Sequence, residues 1–95
     1  MRFAQVTGML TTGAIGFRLV VTLDTTSAIQ TVRDEQVAEL LFHKGKPDAD
    51  WTVDQLTQET IGTTLAEQGW EAVAHQPQPE SSEWNPPMAT YLVRS

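Results

Sequence analysis

The sequence predicts an α+β fold, a small antiparallel sheet of three to five strands with two helices packed on one face. Two observations lead to this prediction. Residues 17–23 alternate in the pattern of an extended strand with one buried side. Residues 65–75 have the pattern of a helix that Gly69 ends and that continues directly into a half-buried strand from Trp70.

The first clear strand is predicted over residues 17–23, and its β-branched and aromatic content supports that prediction. Four of its side chains are expected to face the core: Phe17, Leu19, Val21 and Leu23. Residues 1–16 are expected to be a flexible amino terminus or an edge strand, so that a single α+β domain covers residues 17–95. Residues 24–27 favour a turn, and residues 28–32 favour a short strand over the first turns of a helix.

Two helices are predicted in the middle of the chain. The first covers residues 34–43, where Val37, Leu40 and Leu41 form one apolar stripe. The second covers residues 53–68, because Thr52 and Gln55 match the capping box that starts a helix. Gly69 supplies the left-handed residue that closes it.

The carboxyl end predicts an antiparallel hairpin. Its strands cover residues 70–75 and 88–94, and a proline-rich loop over residues 76–87 joins them. Three apolar residues of the last strand, Ala89, Tyr91 and Val93, are expected to lie opposite its polar side.

This carboxyl half resembles a known family of small bacterial domains. The run Leu65-x-x-Gln68-Gly69-Trp70-Glu71-Ala72-Val73, a polar loop and the strand over residues 90–94 are similar to the domain-of-unknown-function family 4177. The likeness covers residues 60–94, and residues 28–50 are an insertion relative to its pattern. The resemblance implies a fold and no activity.

Composition excludes several classes of function. The chain has 95 residues, no cysteine and a net charge of −6. Without cysteine it has no disulfide, thiolate metal site or cysteine nucleophile, and this fits a cytoplasmic location. The acidic balance opposes direct binding to nucleic acid or to an anionic membrane. No targeting or membrane-spanning segment is expected, because no long apolar run is present.

Several clusters of charged side chains resemble metal or phosphate sites, but ordinary structural roles explain them better. Glu35, Glu39 and His43 are spaced four residues apart, so on a helix they would lie on one side. Such a row could bind a metal ion, but it is equally typical of the solvent-exposed side of a helix. An aspartate cluster suggests calcium, yet turn and capping roles explain its members: Asp48, Asp50 and Asp54. The run His43-Lys44-Gly45-Lys46 fits a helix carboxyl end better than a phosphate site. No cofactor is expected.

One face of the predicted sheet carries mixed polar and aliphatic side chains. Strand alternation places on it Arg18, Thr22, Glu71, His75, Thr90 and Arg94, together with Val20, Val73 and Leu92. A histidine beside arginine and glutamate could bind a small anion or act as an acid or base. The three aliphatic residues instead favour packing against another protein surface.

Trp84 is the second candidate contact. It lies in the proline-rich loop, and long loops of this kind often bind partners through an aromatic anchor. The alternative is that Trp84 folds back as a lid on the core.

The favoured function is therefore a non-catalytic interaction module, expected to form a homodimer or to bind a protein partner. Its expected contact residues are Trp84, His75, Arg18, Arg94, Val73 and Leu92. One alternative is a small-molecule-binding or enzymatic dimer that uses His75. Another is an acidic inhibitor that mimics nucleic acid and blocks a basic cleft.

Overall fold

A five-stranded antiparallel sheet with one helix across it forms the protein, in a computed structural model that describes all of residues 1–95. The main strands are β1 (Phe3–Thr12), β2 (Phe17–Asp24), β3 (Ile29–Val37), β6 (Glu71–Gln76) and β7 (Met88–Arg94). A small hairpin contains β4 (Phe42–His43) and β5 (Lys46–Pro47). Helix α1 spans Ala49–Thr60 and continues as one π-helical segment, Ile61–Leu65.

The amino-terminal residues form the centre of the sheet. The strand order is β3-β2-β1-β7-β6, so β1 lies between β2 and β7. The expectation of a flexible terminus or an edge strand over residues 1–16 was wrong. Residues 5–12 of β1 pair with β2 and residues 3–9 pair with β7, an arrangement that depends on distant strands and that no local sequence pattern could show.

The side of the sheet that packs against α1 is called the inner face, and the opposite side the outer face. The core between the inner face and α1 contains Ala4, Val6, Leu10, Leu19, Val21, Leu23, Val53, Ile61, Leu65, Trp70, Ala89, Tyr91 and Val93. This confirms the predicted inward residues of the last strand and three of the four in residues 17–23. The fourth, Phe17, is half-buried and packs against the same core.

The prediction of two helices was wrong, because residues 34–43 do not form a helix. Residues up to Val37 belong to β3, which pairs with β2. Arg33 of β3 reaches α1, where its guanidinium donates to the Leu56 carbonyl (3.2 Å) and the Thr60 hydroxyl (3.1 Å). No helix in the structure combines the length and apolar content that a membrane crossing requires.

The run His43-Lys44-Gly45-Lys46 is a hairpin turn and not the end of a helix. His43 pairs with Lys46 across β4 and β5. Lys44 and Gly45 both have positive φ, 55° and 82°, as a type I′ hairpin turn requires at its two central positions. The expected complement between these basic residues and a helix dipole therefore does not form.

Helix α1 begins four residues earlier than predicted. Its cap is Asp48, whose carboxylate accepts a hydrogen bond from the Trp51 amide (3.0 Å), so the capping box at Thr52 and Gln55 was wrong. Thr52 is fully buried inside the first turn. Its hydroxyl donates to the Asp48 carbonyl and accepts from the Leu41 amide, which fastens the β4–β5 hairpin to the helix.

The Asp48 cap predicts a pH-dependent stability. The Trp51 amide, followed by His43, holds the pKa of Asp48 below its ordinary value of 3.8. A lowered carboxyl pKa means that this stabilisation is complete above the unfolded pKa and is lost as the pH falls through the folded one. Asp48→Ala is expected to cost about 1 kcal/mol at pH 7.

Asp48→Asn is the matched control, because asparagine also caps helices but does not titrate. Urea unfolding at pH 7 and pH 3 measures both variants. The difference in unfolding free energy between wild type and Asp48→Asn should be smaller at pH 3 than at pH 7. Asp48→Ala should be less stable than Asp48→Asn at both pH values. A constant difference between wild type and Asp48→Asn would show that the charge does not matter.

The end of the helical segment is as the sequence predicts. Gly69 has φ of 88°, and the Trp70 amide donates to the Leu65 carbonyl (3.0 Å). Trp70 is buried, and β6 starts directly after it. This connection sets β6 beside β7 as the second arm of the predicted antiparallel hairpin.

Candidate functional site

A β-bulge at Val73 determines which side of the sheet His75 occupies. Ala72 pairs with Val93, but Ala74 pairs with Leu92, so the alternation of β6 shifts by one residue between them. His75 is consequently opposite Tyr91, on the inner face. The expectation that His75 shares the outer face with the two arginines was wrong, because a one-residue shift exchanges the faces of all later residues.

On the inner face, His75 joins a cluster with Tyr91 and Asp54. Its imidazole stacks on the Tyr91 ring, with centroids 4.7 Å apart. Its Nε2 lies 3.7 Å from the Asp54 carboxylate. The Tyr91 hydroxyl donates to that same carboxylate, and Gln58 donates to its other oxygen (2.9 Å). The side chains of β6, β7 and α1 therefore meet at Asp54.

The Asp54 contact keeps Tyr91 in its protonated form. Burial and the hydrogen bond to Asp54 raise the pKa of Tyr91 well above its ordinary value of 10.0. Tyr91 is therefore a hydrogen-bond donor near neutral pH and does not act as a base. The acid–base role of His75 stays a prediction, and the cavity beside it is the feature that such a role would need.

That cavity, of about 240 Å³, lies between the start of α1 and the loop after β6. Its lining residues are Asp48, Asp50, Asp54, His75, Gln78, Pro79, Glu80, Met88 and Ala89. Asp50 fixes the loop, since its carboxylate accepts from the Ser81 amide (3.3 Å) and hydroxyl (3.1 Å). Four carboxylates and no lysine or arginine line the cavity, so it favours cationic groups.

Neither the cluster of Glu35, Glu39 and His43 nor the cluster of three aspartates forms a metal-coordination site. Glu35 lies on β3 and pairs with Arg33 (2.7 Å), while His43 lies in β4 and stacks on Trp51. The helical stripe that would join them with Glu39 does not exist. Across the chain, no three histidine, aspartate or glutamate side chains are placed to share a metal ion.

No helix packs on the outer face, although Thr90 on β7 is buried and accepts a hydrogen bond from the Gln78 side chain (3.0 Å). A row of threonines crosses its middle on four neighbouring strands: Thr31, Thr22, Thr7 and Thr90. The adjacent rows contain half-buried apolar side chains: Val20, Met9, Met88 and Leu92. Val73 is 44% exposed at the bulge, at the margin of this face.

Arg18 and Arg94 both lie on the outer face, at opposite ends of it. Arg18 is opposite Thr11 and Arg94 is opposite Phe3, which separates them by roughly 27 Å along β1. Each already has a carboxylate partner, because Arg18 binds Asp34 through two hydrogen bonds and Arg94 binds Glu71 (2.6 Å). The structure therefore does not bring His75, Arg18 and Arg94 together around an anion.

Trp84 lies at the end of the sheet, where it lines a shallow cavity with Leu10, Thr11 and Thr12 of β1. It is 84% exposed, so the alternative in which it covers the core was wrong. Its amide donates to the Ser82 hydroxyl (3.2 Å), as part of a tight turn in the loop between β6 and β7. A contact role for Trp84 stays a prediction.

No protein-family model, no curated protein and no solved structure matches this chain.

Proposed function

We propose that this protein is a non-catalytic interaction module that pairs with a second copy of itself through the outer face of its sheet. The observation that carries the proposal is a five-stranded face without a helix on it, with half-buried apolar side chains between its charged ends. Antiparallel sheets pack face to face when one surface is not solvated by charges. Leu92 and Val20 would lie in the centre of that contact.

The charge distribution supports a second copy as the partner. The outer face carries two arginines and three carboxylates, namely Arg18, Arg94, Asp24, Asp34 and Glu71. The other nine carboxylates lie elsewhere, with four cations. Two acidic copies repel each other little through a surface of small net charge, and two arginines with three carboxylates give the outer face a net charge of −1.

The size of the face is also sufficient. Five strands spaced about 4.8 Å apart, each with about eight residues, present roughly 600 Å² per copy. A pair would then bury about 1,200 Å², which is the lower end of the range for specific interfaces. Interfaces at this end of the range include transient ones, so the dimer is expected to be reversible.

The resemblance to family 4177 remains part of this proposal. The order of a helix, a Gly-Trp-Glu turn, a strand, a loop and a closing strand supports it, since Gly69 has the left-handed conformation and Trp70 is buried. The resemblance carries no activity, so it adds nothing to the proposed function beyond a shared fold.

Sedimentation velocity between about 5 and 500 µM tests the proposed dimer. Wild type should change from 10.5 kDa to twice that mass as concentration rises. Leu92→Glu and Val20→Glu place a charge inside the contact, and each is expected to weaken dimerisation at least tenfold because buried unpaired charges are costly. Circular dichroism checks that both variants remain folded.

Ile15→Glu is the matched control. Ile15 is 74% exposed and lies in the connection between β1 and β2, away from the outer face. It should dimerise as wild type does. A wild type that remains monomeric at 500 µM, or an Ile15→Glu variant as defective as Leu92→Glu, would contradict the proposal.

A further inference from the structure

The inner face of β6 is exposed, whereas α1 covers the inner face of β1, β2 and β7. Helix α1 packs against β1, β7 and β2, whereas β6 lies beside the π-helical segment and reaches α1 through the contact between His75 and Asp54. All six residues of β6 are exposed. A helix is about 10 Å across and strands are about 4.8 Å apart, so one helix covers only part of a five-stranded sheet. A further helix packed about 8–10 Å from α1 would lie above β6.

Small and apolar side chains form the floor of that space. They surround a cavity of about 310 Å³ lined by Gln58, Ile61, Gly62, Ala66, Trp70, Glu71, Ala72 and Tyr91. Gly62 and Ala66 are one helical turn apart, and Ala72 faces them from β6. A Cβ atom added at Gly62 would meet no atom within 4 Å. Another backbone could therefore approach this floor closely.

The apolar floor continues into the acidic cavity. Tyr91 and Gln58 line the apolar cavity, and both hydrogen-bond to Asp54, which lines the acidic one. We call the surface along β6 the groove: it comprises the two cavities and the hydrogen-bonded side chains between them, and it is apolar beside Gly62 and negative beside Asp50 and Asp54. A segment that fills the groove needs apolar side chains at one end and cationic side chains at the other.

From this arrangement we propose that the groove binds a basic amphipathic helix of a partner protein. Its apolar side chains pack over Gly62, Ala66 and Ala72, and its lysines or arginines pair with Asp54 and Asp50. Charge complementarity selects this partner, because the groove is negative in a chain whose net charge is −6. The binding mode is the helix-in-groove mode, with anchors about one turn apart.

The bulge at Val73 favours a helix over an added strand. It interrupts the free edge of β6, and such interruptions prevent regular strand pairing. On the other side of α1, Arg33 crosses from β3 to the helix and bonds to it, so that side is already bridged within the protein. This proposal concerns the inner face, so it stands or falls separately from dimerisation through the outer face.

The test is an NMR titration of the ¹⁵N-labelled full chain with a synthetic 18-residue helical peptide of leucine and lysine. A peptide with glutamate at every lysine position is its control. The lysine peptide should shift the amides of Gly62, Ala72 and His75 with a Kd below about 1 mM, and should weaken as salt rises. No shifts at 1 mM, equal binding of the glutamate peptide, or shifts confined to the outer face would overturn the proposal.

Variants then locate the contact. Gly62→Leu fills the groove and should raise the Kd for the lysine peptide at least tenfold, as should the charge-neutralising pair Asp50→Asn with Asp54→Asn. Thr64→Leu adds the same side chain two positions further along the helical segment, outside the cavity lining, and should bind as wild type does. Leu92→Glu should also bind normally. Equal weakening by Gly62→Leu and Thr64→Leu would refute the assigned groove.

Discussion

Gly8→Ala is expected to lower the free energy of unfolding by about 3 kcal/mol, because α1 rests directly on the backbone of β1 at this residue. A Cβ atom at position 8 would lie 1.8 Å from the Thr57 hydroxyl oxygen and 3.1 Å from the Thr57 Cβ. Both residues are buried, and the Thr57 hydroxyl is held by the Val53 carbonyl (2.7 Å). To accommodate even one methyl group, the Thr57 side chain must give up its bond to Val53 or the helix must move away from the sheet.

A double-mutant cycle with Thr57→Ala tests the reason for this cost. Removal of the Thr57 hydroxyl and methyl leaves only the 3.1 Å contact, so Gly8→Ala should cost about 1 kcal/mol in that background. Gly62→Ala is the matched control, since the space there is open and alanine favours helix. It should not destabilise the protein. Additive effects of Gly8→Ala and Thr57→Ala in urea unfolding would contradict the close contact.

Arg33→Met is expected to cost about 2 kcal/mol, because one guanidinium joins β3 to α1 through several charged hydrogen bonds. It donates to the Leu56 carbonyl and Thr60 hydroxyl, and it pairs with Glu59 (3.0 Å) and Glu35 (2.7 Å). Its side chain is only 20% exposed. Methionine keeps the apolar part of the packing and removes the donors, so the loss measures the polar contacts.

Arg18→Met provides the same change at an exposed ion pair. Arg18 contacts Asp34 alone, and its side chain is 59% exposed, so water and salt weaken that pair. Chemical unfolding should show a clear loss for Arg33→Met and little change for Arg18→Met. Equal losses would mean that the bonds between Arg33 and α1 do not stabilise the packing of β3.

Local patterns predicted the parts of the fold that depend on local properties. Residues 17–23 and 88–94 alternate cleanly, and each forms a strand with the predicted inward side. Gly69 ended the helical segment because the left-handed conformation is a property of that residue alone.

The errors arose where distant residues decide the structure. Residues 34–37 have a helix-compatible composition, yet pairing with β2 makes them a strand, since strand preference depends strongly on neighbouring strands. The position of β1 in the centre follows from β2 and β7 on its two sides. Gly8 did offer a signal, because a glycine inside an alternating strand often marks a close backbone approach.

The candidate site was predictable only in its parts. Asp54 and His75 were each visible as residues capable of chemistry, but 21 positions separate them in the sequence. The bulge at Val73 has no sequence motif that would predict it, and it places His75 on the inner face beside Asp54. Arg18, Arg94 and Leu92 lie on the outer face as predicted. The pairing of β1 with β2 and β7 contains no bulge, so the alternation of side chains is regular there.

Solvent paramagnetic relaxation is the most direct test of the central claim, that the outer face is covered by a second copy. An inert gadolinium chelate is added to methyl-labelled protein at about 500 µM, and relaxation of the Val20 methyls is compared between wild type and Leu92→Glu. If the dimer covers this face, the Val20 methyls should relax severalfold more slowly in wild type than in Leu92→Glu. The relaxation rates of the Ile15 methyls should be the same in both proteins. Equal relaxation of Val20 in both proteins would show that the outer face is open to solvent and would contradict the proposed dimer.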